Sequence, residues 1–251
     1  METNTLKLAR VVGDPTAAWK TENAQATASD MTLEGVTFTA RTLISIVKAS
    51  VELVEDAEQI DDTIETALSE ALALEVDRAA LRGSGTPPEP RGIRNQTGVS
   101  IDSATFGANG AAPTSYDFLS NAVQTIRAAN GEPNAVIFAP RTAGELDRLK
   151  DTTNQPLRPP SSFEGLAKYA TGVIPINLTV GTSTDTSEVY VGDWRSLLIG
   201  VRRSLTIEVS RQAQTGTESA FDRLQVHIRA YLRADVQLAQ PSHFVVITGI
   251  R

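Results

Sequence analysis

Gly35–Val54 reads GVTFTARTLISIVKASVELV and runs on into AEQIDDTIETALSEALALEVDRAALR over Ala57–Arg82. The first stretch is dense in β-branched residues and reads as strand. Val36, Phe38, Ala40, Ile44 and Ile46 hold one parity, while Val47, Ala49, Val51 and Leu53 hold the other. The change of phase near Val47 and Lys48 predicts a bulge or a strong twist. Twenty residues at about 3.3 Å each extend roughly 65 Å, far beyond an ordinary strand. The second stretch reads as helix. Asp62 and Glu65 have capping-box spacing, and Ile60, Ile64, Ala67, Leu68, Ala71 and Leu72 form a stripe at three- and four-residue steps. Gly83 after Arg82 supplies a C′ glycine behind a cation that suits the negative end of the dipole. Ala57–Arg82 is roughly 39 Å long at 1.5 Å per residue. A long strand leading into a long helix predicts an elongated molecule.

Outward from this core, GSGTPPEPRGI (Gly83–Ile93) is a turn-rich crossover into an α+β unit. Thr114–Asn130 reads as an amphipathic helix capped by Thr114 with Asp117, faced by Leu119, Val123 and Ile126, and ended by Asn130-Gly131. AVIFA (Ala135–Ala139) has the length and continuous apolarity of a strand buried on both faces. Pro140 opens a short helix through Lys150, and a proline-rich loop covers Asp151–Ser162. Strands are expected near Val173–Leu178, Glu188–Val191 and Leu197–Val201. From Leu224 to Leu238 the even positions are apolar and the odd ones almost all polar, which predicts one half-buried strand of about fifteen residues. Pro241 breaks it, and Phe244–Ile247 reads as a closing strand. On the N-terminal side, residues 1 to about 34 look irregular and exposed. Trp19, the one large aromatic there, packs on its own subunit or docks on a neighbour.

Composition narrows the function. Apolar residues at 41% and charged residues at 21% of 251 suffice for a globular core and argue against global disorder. There is no cysteine, so disulfides, thiolate metal sites and a cysteine nucleophile are excluded. The net charge of −7 disfavours a reader of duplex DNA sequence. No run of 18 apolar residues predicts a membrane span, and METNTLKLARVV does not read as a signal peptide.

Nothing in the sequence forms an active site. Phosphate-cradling glycine motifs are missing, and Gly83-Ser84-Gly85 lacks nucleophile-elbow spacing, so Ser84 is not read as catalytic. His227 and His243 have no metal-ligand spacing; His227 is expected exposed or hydrogen-bonded. The acidic run Glu52, Glu55, Asp56, Glu58, Asp61 and Asp62 complements the start of the helix dipole, with metal binding as the sharper alternative. Arg229 and Arg233 share a face with Tyr231 and Asp235, and Arg202-Arg203 lies between two strands. These arginines read as solvated charge, as subunit–subunit ion pairs, or as nonspecific contacts to packaged nucleic acid. No cofactor is expected.

The order of elements resembles the major capsid proteins of tailed bacteriophages, with their Hong Kong 97-type fold. Three stretches carry the likeness: EVDRAALRGSGTPPEPRGI (Glu75–Ile93), VGDWRSLLIGVRRSLTIEVSR (Val191–Arg211) and FDRLQVHIRAYLRADVQLAQPSHFVVI (Phe221–Ile247). The resemblance covers about residues 15 to 251. It implies an α+β chain divided into an N-terminal arm (1–14), an extended E-loop (15–40), a peripheral domain with long strand and spine helix (41–89), an axial domain (90–200) and peripheral C-terminal strands (201–251). It implies a structural, non-enzymatic subunit that assembles as hexamers and pentamers into an icosahedral shell around double-stranded DNA, with scaffold, portal and decoration proteins as further partners and no membrane. The virion, built in the host cytoplasm, is the implied location. Trp19, Lys20, Arg41, Arg202, Arg203, Arg229 and Arg233 are the candidate subunit contacts. Many members carry a helical N-terminal scaffolding segment that is later removed; here the chain starts almost at the arm, so that segment is gone or scaffolding comes from elsewhere. Some members join a lysine of the E-loop to a neighbour's asparagine with help from a glutamate. Lys20 and Glu218 are present, but SRQAQTGTESAF (Ser210–Phe221) holds no asparagine, so no such cross-link is expected. The rival readings are an encapsulin-like nanocompartment shell and, more remotely, a small α+β hydrolase.

Overall fold

The structure is a computed structural model that describes every residue except 14, 24, 26, 27, 57–59, 216 and 217. The chain opens with β1 (Thr5–Gly13), which pairs antiparallel with β2 (Thr32–Thr39) in a long hairpin from Thr5↔Thr39 to Gly13↔Thr32. Thr5–Gly13 and Thr32–Thr39 are therefore two sides of one ribbon. Residues 1 to about 34 are read as irregular from the sequence, yet Thr5–Gly13 and Thr32–Leu33 are strand, because each supplies the other's ladder.

After Ala40 the chain starts β3 (Arg41–Ser50), so the single twenty-residue strand is two shorter ones. Val36, Phe38 and Ala40 are buried on the hairpin side, whereas in β3 it is the odd positions that turn inward. The change of parity thus falls at the break at Ala40. No bulge exists at Val47, because β3 pairs in unbroken register from Arg41 to Ser50. Val51–Asp56 is a helical turn, α1, where strand was expected. The partner strand begins at Gln225 opposite Ser50; Val51 N–H still reaches the Leu224 carbonyl at 3.0 Å, and beyond it no ladder continues and the backbone turns helical.

The spine of the molecule is α2 (Ile60–Arg82), about 35 Å long. The start expected at Ala57 lies outside the described residues. Its apolar stripe is narrower than the sequence suggests: Leu68 and Leu72 are buried, and Ile64 is half-buried, while Ala67 and Ala71 are exposed. Gly83 is not in the left-handed region, so its role as a C′ glycine fails. Its reason is proximity. A Cβ at Gly83 would stand 2.6 Å from the Ala79 carbonyl, and one at Gly92 would stand 2.6 Å from the Ala79 carbonyl and the Arg82 nitrogen. The two glycines let the crossover return against the helix end, where Gly92 N–H donates to the Gly83 carbonyl at 2.9 Å.

Residues 100–192 supply most of a six-stranded sheet. Its parts are β4 (Ser100–Asp102), α3 (Asp117–Ala128), β5 (Ala135–Phe138), α4 (Pro140–Asp147), α5 (Ser161–Glu164), β6 (Ala167–Ala170), β7 (Leu178–Val180) and β8 (Ser183–Gly192). The cap expected from Thr114 is not made; α3 begins at Asp117, after Tyr116, without a side-chain cap bond. Its end is as read. Asn130 takes φ +60°, and Gly131 N–H reaches the Ile126 carbonyl at 3.0 Å, closing a Schellman turn. Of the expected strand near Val173–Leu178 only Leu178 enters a strand, β7, since Pro175 removes a donor in the middle of the rest. Ile174 instead plugs the core at 2% exposure.

Then come β9 (Leu197–Ser210), β10 (Gln214–Thr215), β11 (Glu218–Ser219), β12 (Gln225–Leu238) and β13 (Phe244–Ile250). β12 is the long alternating strand, about 45 Å of it, central in the order β3-β12-β9. Residues 201–251 do not stay together. β13 runs in the middle of the other sheet, parallel to β4 and antiparallel to β8, in the order β4-β13-β8-β5-β6. Both faces of its central strands β13, β8 and β5 are covered, which explains their unbroken apolar text. Val189, Val191, Val245 and Ile247 face α3, while Tyr190, Phe244 and Val246 meet Leu81 of α2 and Leu238 of β12. The even residues of β12 pack on α2 through Val226, Ile228 and Ala230.

A buried ion cluster joins the two halves. Glu188 on β8 is 1% exposed and meets Arg82 Nε at the end of α2 at 3.3 Å, together with the Arg94 guanidinium. The Tyr190 hydroxyl donates to Glu188 at 2.8 Å, and burial followed by the Glu188 charge pushes that phenol above its ordinary range. Asn95 donates to the Arg82 and Gly83 carbonyls, capping α2 from across the crossover.

Candidate functional site

Pairing sets the odd residues of β12 on the sheet face turned away from α2. There the Arg229 guanidinium donates to Glu208 of β9, and the Tyr231 hydroxyl donates to the same carboxylate at 3.1 Å. These two bonds, Arg229 first, hold Glu208 below the usual glutamate range. The Tyr231 ring lies between two cations, Arg203 at 5.1 Å and Arg229 at 5.5 Å from its centroid. Beside this ladder, Ile44 and Ile46 stand opposite Tyr231 and Arg229 across the β3–β12 pair and are 50% and 46% exposed. Two isoleucines next to an ordered polar row make a flat face suited to contact.

Further along, the hairpin covers the same sheet. Arg202 and Arg233 both donate to the Asn4 side chain, at 3.2 and 2.9 Å, and Thr39 N–H donates to buried Asp235 at 2.7 Å. Phe38 fills the space above Gly200, where a Cβ would stand 2.8 Å from its ring. Four candidate arginines therefore make bonds inside their own subunit: Arg203 and Arg229 frame Tyr231, and Arg202 and Arg233 anchor the hairpin base. Arg41 lies on the α2 side instead. It lines an apolar cavity of about 300 Å³ between α2, β3 and β12. Trp19 and Lys20 are exposed on the hairpin loop, where the Ser29 hydroxyl ties the two sides together by accepting from Thr16 N–H and donating to Thr16 O.

Ser84 Oγ accepts from Thr86 N–H in its own turn, and the Ser84 amide donates to Glu89. His227 is buried on β12, and His243 sits in the short turn before β13. Among the described residues no group of His, Asp or Glu is placed to hold a metal ion. No helix among them is long and apolar enough to cross a membrane. Glu58 of the acidic run lies outside the described residues, as does the Glu218 side chain.

Residues 1–249 match the model of the phage capsid family. The chain belongs to that family. Among curated capsid-family relatives it is 25% identical, over 98% of its length, to the major capsid protein of Klebsiella oxytoca phage phiKO2, and 24% identical, over 76%, to that of Enterobacteria phage HK97. It spans 60% and 48% of those two proteins' lengths. Solved structures agree on the fold. A chain of Mycobacterium phage Bobi superposes with a TM-score of 0.77 at 19% identity, covering 98% of this chain and 86% of that one. The capsid of a native GTA particle computed with C5 symmetry superposes at 0.75 with 15% identity, covering 100% and 86%. The capsid-family fold, the Hong Kong 97-type, is the one read from the three sequence stretches.

Sequence reasoning missed two features of this capsid-family chain. Ile44 and Ile46 were counted with the buried parity of one strand; their exposure follows from the break at Ala40. The Arg82–Glu188–Arg94 cluster joins residues about a hundred positions apart, and no local spacing signals it.

Proposed function

We propose that this chain is the major structural subunit of a phage, prophage or gene-transfer-particle head, and not an enzyme. It assembles as hexamers and pentamers into an icosahedral shell around double-stranded DNA, without reading its sequence. The observation that carries this is the family match across residues 1–249, reinforced by a hairpin whose Met31, Leu33 and Trp19 are exposed and find no cover on their own subunit. In this reading the hairpin is the E-loop, with the N-terminal arm as one of its strands. The three-stranded sheet with α2 is the peripheral domain, and the six-stranded sheet, β13 included, is the axial domain. Scaffold, portal and decoration proteins are the further partners, and the assembled form resides in the virion after assembly in the host cytoplasm.

Electron microscopy of the purified chain, supplied with its scaffold, tests the reading. Closed or tubular shells are expected, with a high ratio of absorbance at 260 to 280 nm in native particles. Shells filled with protein and free of DNA would mark a nanocompartment instead, and a persistent monomer would overturn the shell role altogether.

A further inference from the structure

We propose that the cavity between α2, β3 and β12 is a binding site for a small amphipathic anion, a compact apolar body that carries a carboxylate or sulfonate. Two chambers meet there. The inner one, about 300 Å³, is walled by Leu43 of β3, Val76 and Ala79 of α2, and Leu232 and Val236 of β12. That is the lower end of the size that holds a small organic ligand, about 300–1,000 Å³. The outer one, about 260 Å³, is mainly polar, with Thr37 and Thr39 of β2, Arg91 of the crossover and Gln237 of β12 in its walls. Arg41, Glu89, Pro90 and Asp235 border both chambers, so the apolar space opens onto the polar one.

Charge decides the head group. The lining holds three carboxylates and three guanidinium groups, but their bonding is unequal. Glu75 and Glu89 share Arg78, and Glu89 also accepts from the Ser84 amide at 3.0 Å. Asp235 is 4% exposed and accepts from Thr39 N–H at 2.7 Å and from Val236 N–H at 2.9 Å. Arg41 and Arg91, by contrast, make no side-chain hydrogen bond or ion pair among the described residues. Arg41 is half-buried, where an unpaired charge is less well hydrated than on the open surface. The unmet capacity around the outer chamber is thus that of donors, and a carboxylate or sulfonate supplies acceptors to both arginines. A cationic ligand would find every carboxylate already engaged.

The apolar body then fills the inner chamber while the head group stays at its mouth. Such a ligand touches β2, β3, β12, α2 and the crossover at once, and ties the base of the hairpin to the spine helix. The site lies within one copy, so it needs no neighbour and is tested apart from the shell reading.

The free chain is titrated with anilinonaphthalene sulfonate and with its uncharged relative, phenylnaphthylamine. One saturable site per chain with blue-shifted emission is expected for each. Arg41→Gln with Arg91→Gln should weaken the sulfonate about tenfold, the worth of a charge-assisted hydrogen bond, and leave the uncharged probe unchanged. Val76→Met, which crowds the inner chamber, should weaken both probes about tenfold. Ile44→Ser with Ile46→Ser, on the other face of the sheet, should alter neither. Saturating sulfonate should also raise the Tm of the parent by roughly 5 °C, and at the same concentration have little effect on either cavity variant. Equal sulfonate affinity in the parent and the arginine variant would overturn the anion site. That variant removes no bond within the subunit, so the test holds even where Val76→Met disturbs folding. Probe binding lost in the isoleucine variant, or kept in a folded Val76→Met chain, would place the probe elsewhere and likewise overturn the proposal.

Discussion

Ser84 and Arg78 converge on the Glu89 carboxylate. Hydrogen bonds from the Ser84 side chain and amide, then from Arg78, depress its pKa from 4.5 to about 2. The folded state therefore favours the charged form, and this stabilisation is complete above pH 4.5 and lost as pH falls towards 2. Glu89→Gln should cost about 1 kcal/mol at neutral pH, the value of charge-assisted bonds reduced for partial exposure. Urea unfolding of the variant should depend less on pH across that acid window than the parent does; equal slopes would show that Glu89 contributes nothing there. A second residue in the same turn tests steric fit. Gly92→Ala places a methyl against the Ala79 carbonyl and Arg82 nitrogen, both backbone and unable to yield. A loss of about 2–3 kcal/mol is expected. Gly107→Ala, with φ +70° but nothing within 4 Å, isolates the conformational part and should cost about 1 kcal/mol. Thermal melts of the two variants separate collision from backbone strain.

Between elements, the Arg82–Glu188–Arg94 cluster decides whether α2 and the six-stranded sheet behave as one body. Removing the acid leaves two guanidinium groups facing a neutral amide. Both arginines are partly open to water, at 25% and 32% side-chain exposure, so the penalty falls below that of a fully enclosed pair. Glu188→Gln should cost roughly 2–3 kcal/mol and broaden the unfolding transition as the two sheets uncouple. A transition of unchanged midpoint and sharpness would show that apolar contacts, such as Leu81 with Tyr190, suffice. The same scale shows what the sequence made legible. β12 and α3 with its Asn130 stop were readable because each has one buried face set by its own period, and the β5–Pro140 step because a short unbroken apolar run ends at a proline. The parity break was misplaced because Ile44 and Ile46 are apolar on a face that their own core does not cover. Periodicity marks a side chain as wanting cover, but not whether that cover is the same chain or another. β6 was missed for the converse reason, being an edge strand exposed at all four residues.

At the scale of the whole molecule, exposed apolar groups gather at the hairpin loop, on the outer face of β3 and at the far end of the three-stranded sheet, where Leu53, Val209, Phe221 and Leu224 are all at least half exposed, while Leu74, Tyr169, Ile199 and others are exposed elsewhere. A monomer gains nothing from this distribution, whereas a subunit with neighbours on several sides gains an interface at each. The β3 face offers a separation of folding from assembly. Ile44→Ser with Ile46→Ser removes side chains that are already about half in water, so the free subunit should lose roughly 1.5–3 kcal/mol and still fold. Its circular dichroism should match the parent. Shell yield by sedimentation should fall at least tenfold, which needs only about 1.4 kcal/mol lost per contact, and the loss multiplies because each subunit makes the contact again with its neighbour. Unimpaired shells from this double variant would mean that β3 faces solvent or cargo in the particle, and the contacts between subunits would then have to run through other exposed apolar groups such as those of the hairpin and the Phe221 end.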